Sequence, residues 1–305
     1  MPRTATPESL PIPPFPHILP TNDLGEFPTA TPWCQRWTGR QHSFRHVSDG
    51  GFDAQRYTVE ILPERDAKAF VLKHHYSRSF PSARFRYGLF DHGTGEAKLC
   101  GVAIFGIPVR SAVLSLPLPD LEPYVESLEG SRFVLLDEVP ANGESWFLAR
   151  CFNALLGRGV RGVVSFADPV PRTDASGAVV AVGHVGTIYQ ATNAVYLGRA
   201  TPRTIKLLPN GVVLNERMAQ KVRRQEQGHE YAERLLLSLG AAPMRAGADP
   251  RAWLREALET VGARNLRHRG VHRYVYRLGK NRRERESIRL GLPMSDSYPK
   301  VSDLW

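Results

Sequence analysis

Cysteine is scarce: 305 residues include three, Cys34, Cys100 and Cys151, with no Cys-x-x-Cys pair. That excludes a disulfide framework and a cysteine-rich zinc site, and suits a reducing compartment. Cys100 and Cys151 sit in the apolar runs KLCGVAIF and ARCFNALL, where they read as small core residues rather than nucleophiles. No apolar run approaches the roughly 18 residues that cross a bilayer. The proline-rich stretch TPESLPIPPFPHILP lacks the unbroken apolar segment of a secretory signal. The expectation is a soluble, cytoplasmic protein with no membrane partner. P-loop, Gly-x-Ser-x-Gly, His-Glu-x-x-His and zinc-deaminase spacings are all missing. Asp168-Pro169-Val170-Pro171 is near the Asp-Pro-Pro-Tyr motif of amino-methyltransferases, but it has no aromatic and no glycine-rich loop before it.

Positive charge, by contrast, is plentiful. The 40 Lys and Arg outnumber 30 Asp and Glu, for a formal charge of +10. Such an excess favours an acidic partner, nucleic acid before an anionic membrane, although a merely basic surface is the plain alternative. The stretch 264–289 alone carries ten Lys/Arg against two Glu. The 42% hydrophobic content is ample for one core, or for a core with a small added subdomain.

Three regions are expected. Residues 1–55 are proline-rich and poor in pattern, and read as an extended arm or linker. Residues 56–200 read as the catalytic core: a strand at 57–62, a helix opened by Pro63, strands at 84–91 and 98–107 and a strand at 132–139. The loop PANGES then leads into a helix at 145–156, followed by a strand at 162–167, a polar loop and a short helix near 186–193. Residues 201–305 read as a basic, helical region that completes the fold and binds DNA, with helices near 215–227, 230–239 and 252–261. In it, VHRYVYRL at 271–278 alternates like a strand with His272, Tyr274 and Tyr276 or their neighbours on its polar face. The fold class is α/β (α+β), a mixed central sheet flanked by helices, and the order β-α-β-β-β-α-β-α resembles the GNAT acyltransferase fold.

Three clusters could carry chemistry. His74-His75-Tyr76-Ser77-Arg78 ends the first helix and offers base, acid, metal-ligand and anion contacts; the alternative is a helix cap beside a core tyrosine. Arg132 with Asn142, Gly143 and Ser145 of PANGES offers a helix N-terminus able to hold phosphate, or else an ordinary cap. Asp168 lies where a strand should end and could take a proton or bind a metal. His184 could join Asp168 as ligand or base, and Tyr189 on the next helix could protonate a leaving group. A buried Asp–His–Tyr network without catalytic work is the alternative. Phosphate contacts are expected from Arg223, Arg224, Arg267, Arg269, Arg273, Lys280, Arg282 and Arg283.

Six segments, taken in order, carry a resemblance: HHYSRSFP, CGVAIFGIPV, SRFVLLDEVPANGESWFLAR, VVSFADPVP, GHVGTIYQATNAVYLG and HRYVYRLG. Together they resemble the Mom family, GNAT-related phage enzymes that convert adenine in DNA to its N6-(methylcarbamoyl) form and so shield it from restriction. The resemblance spans about residues 57 to 279. It implies an active site of His75, Tyr76, Arg132, Ser145, Asp168 and Tyr189, with Tyr189 as the acid. It also implies acetyl-CoA or a related acyl donor, and an iron whose sensible ligands would be His75, Asp168 and His184. The Arg/Gln-x-x-Gly-x-Gly/Ala pyrophosphate signature of the GNAT fold is absent. The readings that compete with a duplex-DNA adenine enzyme are a GNAT N-acetyltransferase acting on a protein, tRNA or small amine, and a non-enzymatic DNA-binding protein.

Overall fold

The computed structural model describes residues 33–46, 49, 51–77, 79–181 and 183–300. The larger part of the expected arm, residues 1–32, lies outside them, as does Arg78 of the first cluster. Residues 33–46, also read as arm, instead form a hairpin of β1 (Trp33–Thr38) and β2 (Gln41–His46). Its two-residue turn, Gly39–Arg40, has φ of 58° and 69°. Positive φ at both positions matches the right-handed twist of the flanking strands, the type I′ solution. Proline-rich surroundings and little apolar alternation hid these strands.

The core follows the expected order. After β3 (Tyr57–Ile61) comes α1 (Glu64–His74), then β4 (Ala83–Asp91) and β5 (Lys98–Gly106). A short α2 (Ala112–Ser115) precedes β6 (Ser127–Leu135), α3 (Gly143–Leu156) and β7 (Gly162–Ala167). The polar loop after β7 contains a small hairpin, β8 (Arg172–Thr173) with β9 (Val179–Ala181). Asp174 closes its turn by accepting from the backbone N–H groups of Ser176 and Ala178 at 2.9 and 3.0 Å. Then follow α4 (Thr187–Ala191) and β10 (Val195–Arg199). β6 starts five residues earlier than expected and ends before Asp137 and Glu138, whereas α3 starts at Gly143 instead of Ser145.

An inserted unit comes next: β11 (Arg203–Leu207), β12 (Val213–Leu214), α5 (Glu216–Arg224), α6 (Glu230–Ser238), α7 (Pro250–Thr260) and β13 (Arg264–His268). Its strands make a separate sheet in the order β12-β11-β13, and Leu214, Val222, Leu236 and Trp253 are among the residues of its own core. The region therefore holds three strands beyond the helices and the strand at 271–278 that the sequence predicts. The chain then returns to the main sheet as β14 (His272–Arg277) and ends in a short α8 (Arg282–Glu286).

The seven-stranded main sheet runs β10-β14-β7-β6-β5-β4-β3, and only β6 and β7 are parallel neighbours. This is the mixed sheet flanked by helices that the sequence predicts. α3 places Phe147, Leu148, Cys151 and Leu155 at helical spacing and buries them, with Phe147, Cys151 and Leu155 in one core with Leu128, Val163 and Tyr274. On the opposite face α1 packs Ala67, Phe70 and Val71 on Val102, Ile104 and Val134. Each such fully buried large apolar side chain stabilises by roughly 1.5–3 kcal/mol. β14 departs from expectation: its supposed polar face, His272, Tyr274 and Tyr276, is buried because the strand is internal. The tyrosine hydroxyls are satisfied there, Tyr276 by Thr192 at 2.5 Å and Tyr274 by Gln190 Nε2 at 3.1 Å and the Val185 carbonyl.

Candidate active site

Two features of β6 create the site. Its pairing with β7 runs from Ser127–Gly162 to Gly130–Ser165 and then stops, so the two strands part beyond that point. At the same place the register with β5 slips, from Phe105–Gly130 to Ile104–Arg132, leaving Ser131 as an extra residue. A bulge of this kind turns the side chains after it by one position. Leu128 and Phe133 consequently pack toward α3 alike, despite their odd spacing. Glu129 and Arg132 are left together on the opposite face, at the start of the gap.

Around that gap the charged and phenolic groups interact. Arg132 feels Tyr76, Glu129 and Tyr189, while burial draws its pKa down. Burial pushes the Tyr189 hydroxyl up, aided by Tyr76 and Glu129. Burial likewise raises Tyr76, with the Asp168 charge adding to it and Arg172 and Arg132 opposing it. Both phenols stay protonated at neutral pH and can donate. Glu129 is raised above the usual glutamate range by burial, against the Arg132 charge. Arg132, Glu129, His184 and Tyr189 all keep part of their surface accessible despite this desolvation, as the walls of a cleft do.

The Tyr76 ring packs on His75 at 4.4 Å and on Trp37 at 4.9 Å between centroids. Its hydroxyl, rather than a free ring face, is therefore what it presents to Arg132, Asp168 and Arg172. His75 is pushed well below the usual imidazole range by burial, then by the Arg132 and His184 charges. The Ser77 N–H donates to its Nδ1 at 3.1 Å, which leaves the proton on Nε2.

Asp168, just past the end of β7, is committed elsewhere. It accepts from His268 Nε2 at 2.9 Å, Arg172 at 2.7 Å and the Val170 N–H at 3.1 Å. The Gly270 N–H donates to His268 Nδ1 at 3.0 Å, so His268 is the Nε2–H tautomer. Burial alone would raise the Asp168 carboxyl, but the His268 hydrogen bond and the Arg172 charge outweigh it and hold Asp168 well below the usual carboxylate range. A carboxylate so stabilised is a weak proton acceptor.

The structure brings His75, Tyr76, Arg132, Asp168, His184 and Tyr189 to one cleft. Asn142, Gly143 and Ser145 make no hydrogen bond to Arg132 among the described residues. Ser145 Oγ donates to the Asn142 carbonyl at 3.1 Å, and Arg132 bonds to Ser79 and Ser131 rather than to this loop. A Cβ on Gly143 would lie 2.6 Å from Val139 and 3.2 Å from Phe52, so internal packing explains the glycine. The first turn of α3 also buries Glu144, paired with Arg36. The expected iron site does not form: among the described residues no three His, Cys, Asp or Glu are grouped to hold a metal. His75 Nδ1 already accepts from Ser77, and both Asp168 oxygens already accept hydrogen bonds.

Glu129, Arg172 and His268 were missed in the sequence. Glu129 lies before the strand that the sequence predicts at 132–139, and Arg172 follows Asp168 by four residues within an apparent loop. His268 is 100 positions away, a distance no local pattern signals.

Of the expected phosphate ligands, Arg223 pairs with Glu216, Arg224 with Glu226 and Arg282 with Glu286. Arg267, Arg269, Lys280 and Arg283 are exposed and enter no ion pair among the described residues. Arg273 is half-buried, and its Nε has no hydrogen-bond partner.

The Mom protein family model matches residues 56–300, most of the chain and all of this cleft. The chain belongs to the Mom protein family. Membership points to phage DNA modification, and it covers the whole catalytic core together with the inserted unit. No curated protein matches the chain. Among solved structures, a GNAT family N-acetyltransferase (YhbS) from Escherichia coli in complex with CoA is similar at 13% identity and a TM-score of 0.28. The likeness covers 49% of this Mom-family chain and 72% of that enzyme. Among the described residues, no helix is long and apolar enough to cross a membrane.

Proposed function

We propose that this chain is a transferase that places a methylcarbamoyl group on the exocyclic N6 of adenine in duplex DNA, shielding the DNA from restriction nucleases. Family membership supports DNA modification. The observation that carries the finer reading is the gap between β6 and β7, where a raised carboxyl, a desolvated arginine and two protonated phenols converge.

Adenine N6 is engaged in base pairing, so the target base leaves the stack before it reacts. Exposed Arg267, Arg269, Lys280 and Arg283 supply salt-sensitive grip on phosphates. N6 attacks an activated carbonyl carbon; the N6–C bond forms and the bond from carbon to the leaving group breaks. Glu129 takes the N6 proton, since burial has brought its carboxyl toward neutrality. Arg132 steadies the developing oxyanion, and Tyr189 gives its proton to the leaving group. Asp168 positions Arg172 and His268 instead of accepting a proton. A donor of the acyl-thioester class supplies an activated carbonyl. A plain acetyl group holds no nitrogen, so the donor that balances this step is an N-methylcarbamoyl thioester: its carbonyl–sulfur bond breaks, the sulfur leaves with the Tyr189 proton, and the nitrogen travels with the transferred group.

Nucleoside mass spectrometry on plasmid DNA from expressing cells, beside a Glu129→Gln control, tests the reading. A methylcarbamoyl-deoxyadenosine that the control lacks is the expected result. Unaltered deoxyadenosine with soluble wild-type protein, together with acetylation of a protein or tRNA, would overturn it.

A further inference from the structure

The hairpin of β1 and β2 precedes residue 56, where the family match begins, yet it touches the end of α1 on one side and the loop from β6 into α3 on the other. On one side its turn grips the end of α1: the Gly39 N–H donates to His74 Nδ1 at 3.1 Å, the Arg40 N–H to the His74 carbonyl at 3.0 Å, and Arg40 Nε to the Leu72 carbonyl at 3.1 Å. Trp37, which is 8% exposed, packs on Tyr76 at 4.9 Å and on His75 at 6.1 Å. On the other side Arg36, fully buried, donates to the Val139 carbonyl at 3.1 Å and the Pro140 carbonyl at 3.1 Å, and pairs with Glu144 in the first turn of α3. Ser43 Oγ donates to Asp137 at 2.8 Å, and the Asp137 N–H donates to Thr38 Oγ1 at 3.3 Å.

We propose that this hairpin is a positioning element for the reaction: Trp37 holds the His75–Tyr76 turn in register with Arg132, while Arg36 fixes the loop that leads from β6 into α3. The geometry suits this role because α1 ends at His74, and the backbone N–H bonds of His75 and Ser77 after it are local. His75 N–H donates to Val71 O, and Ser77 N–H to His75 itself. Without Trp37 the Tyr76 ring loses a packing partner, and its hydroxyl is no longer confined to the cleft. Aromatic pairs of this kind contribute direction as well as burial, and small misplacements of a reacting group are costly in rate.

The proposal rests on the transfer reaction above, so its test has an arm that does not need turnover. Trp37→Ala and Trp37→Phe in the full chain are compared by kinetics on duplex DNA and by amide hydrogen exchange. For Trp37→Ala the expectation is a kcat lower by about 10–100-fold, of the size one misplaced group produces, with KM for DNA unchanged and faster exchange confined to residues 74–77. Trp37→Phe restores most of both. If wild-type protein shows no turnover, exchange at 74–77 decides alone. Unchanged exchange there and an unchanged kcat would overturn the proposal. So would exchange that rises equally across the main sheet in both variants, since that marks a general loss of packing.

Discussion

The cleft and the basic surface beyond residue 203 use the same side chains for opposite ends. In the cleft, charges lie away from water and each is answered: Asp168 by His268 and Arg172, Glu144 by Arg36 nearby. On the surface, Arg282 and Arg289 also face carboxylates, Glu286 and Asp120, but in full solvent. Water screens the second kind of pair, so it contributes little, while loss of one partner in the first leaves a buried charge. Burial, more than residue type, separates the arginines that build the site from those free to meet a polyanion.

The sharpest way to break this comparison is Glu129→Gln. Loss of a positioned proton acceptor should lower kcat by about 10²–10⁴-fold, with DNA affinity retained. In wild type the acid limb of kcat/KM should lie above the ordinary glutamate range, because the Glu129 carboxyl is raised; in the variant that limb should vanish. An unaltered profile would move the proton acceptor to another group. Next in size is Arg36→Ala, which strands Glu144 and should cost about 3–5 kcal/mol in denaturant unfolding. Arg36→Met with Glu144→Leu should recover most of that, since no charge is then left buried.

Asp168 provides a sign test. Its pKa is depressed on folding, so its contribution is fully present above its unfolded value of about 3.9 and is lost as pH falls below that. Thermal midpoints followed down through this range should drop less in Asp168→Asn than in wild type. An equal drop would assign the acid sensitivity elsewhere. The smallest effects belong to the surface. Arg267→Ala and Arg269→Ala should each reduce the slope of log affinity against log salt by about 1. Arg282→Ala should leave both slope and stability unchanged, because Glu286 already answers that charge.

The core was legible wherever periodicity was strong. α1 shows Ala67, Phe70 and Val71 at helical spacing, and the runs in β5 and β7 are apolar enough to read as interior strands. His75, Tyr76, Arg132, Asp168, His184 and Tyr189 could be chosen because polar groups crowd short motifs at the ends of elements. Glu129 could not, since its usefulness depends on the extra residue at Ser131, and a bulge leaves no mark in composition. The hairpin at 33–46 was hidden for a similar reason: its partners, Glu144, Asp137 and Tyr76, are remote in sequence.

By itself the sequence determined the element order of the core, the mixed sheet between helices, the basic balance and the motifs of the family, because each is a local pattern or a sum over residues. Only the tertiary structure decided that β14 is an internal strand, that Asp168 is tied to His268 100 positions later, and that Glu144 of the PANGES loop is buried against Arg36. Those outcomes depend on which distant groups meet and how much water they lose on meeting, and burial of a charge is a property of the folded neighbourhood rather than of the residue.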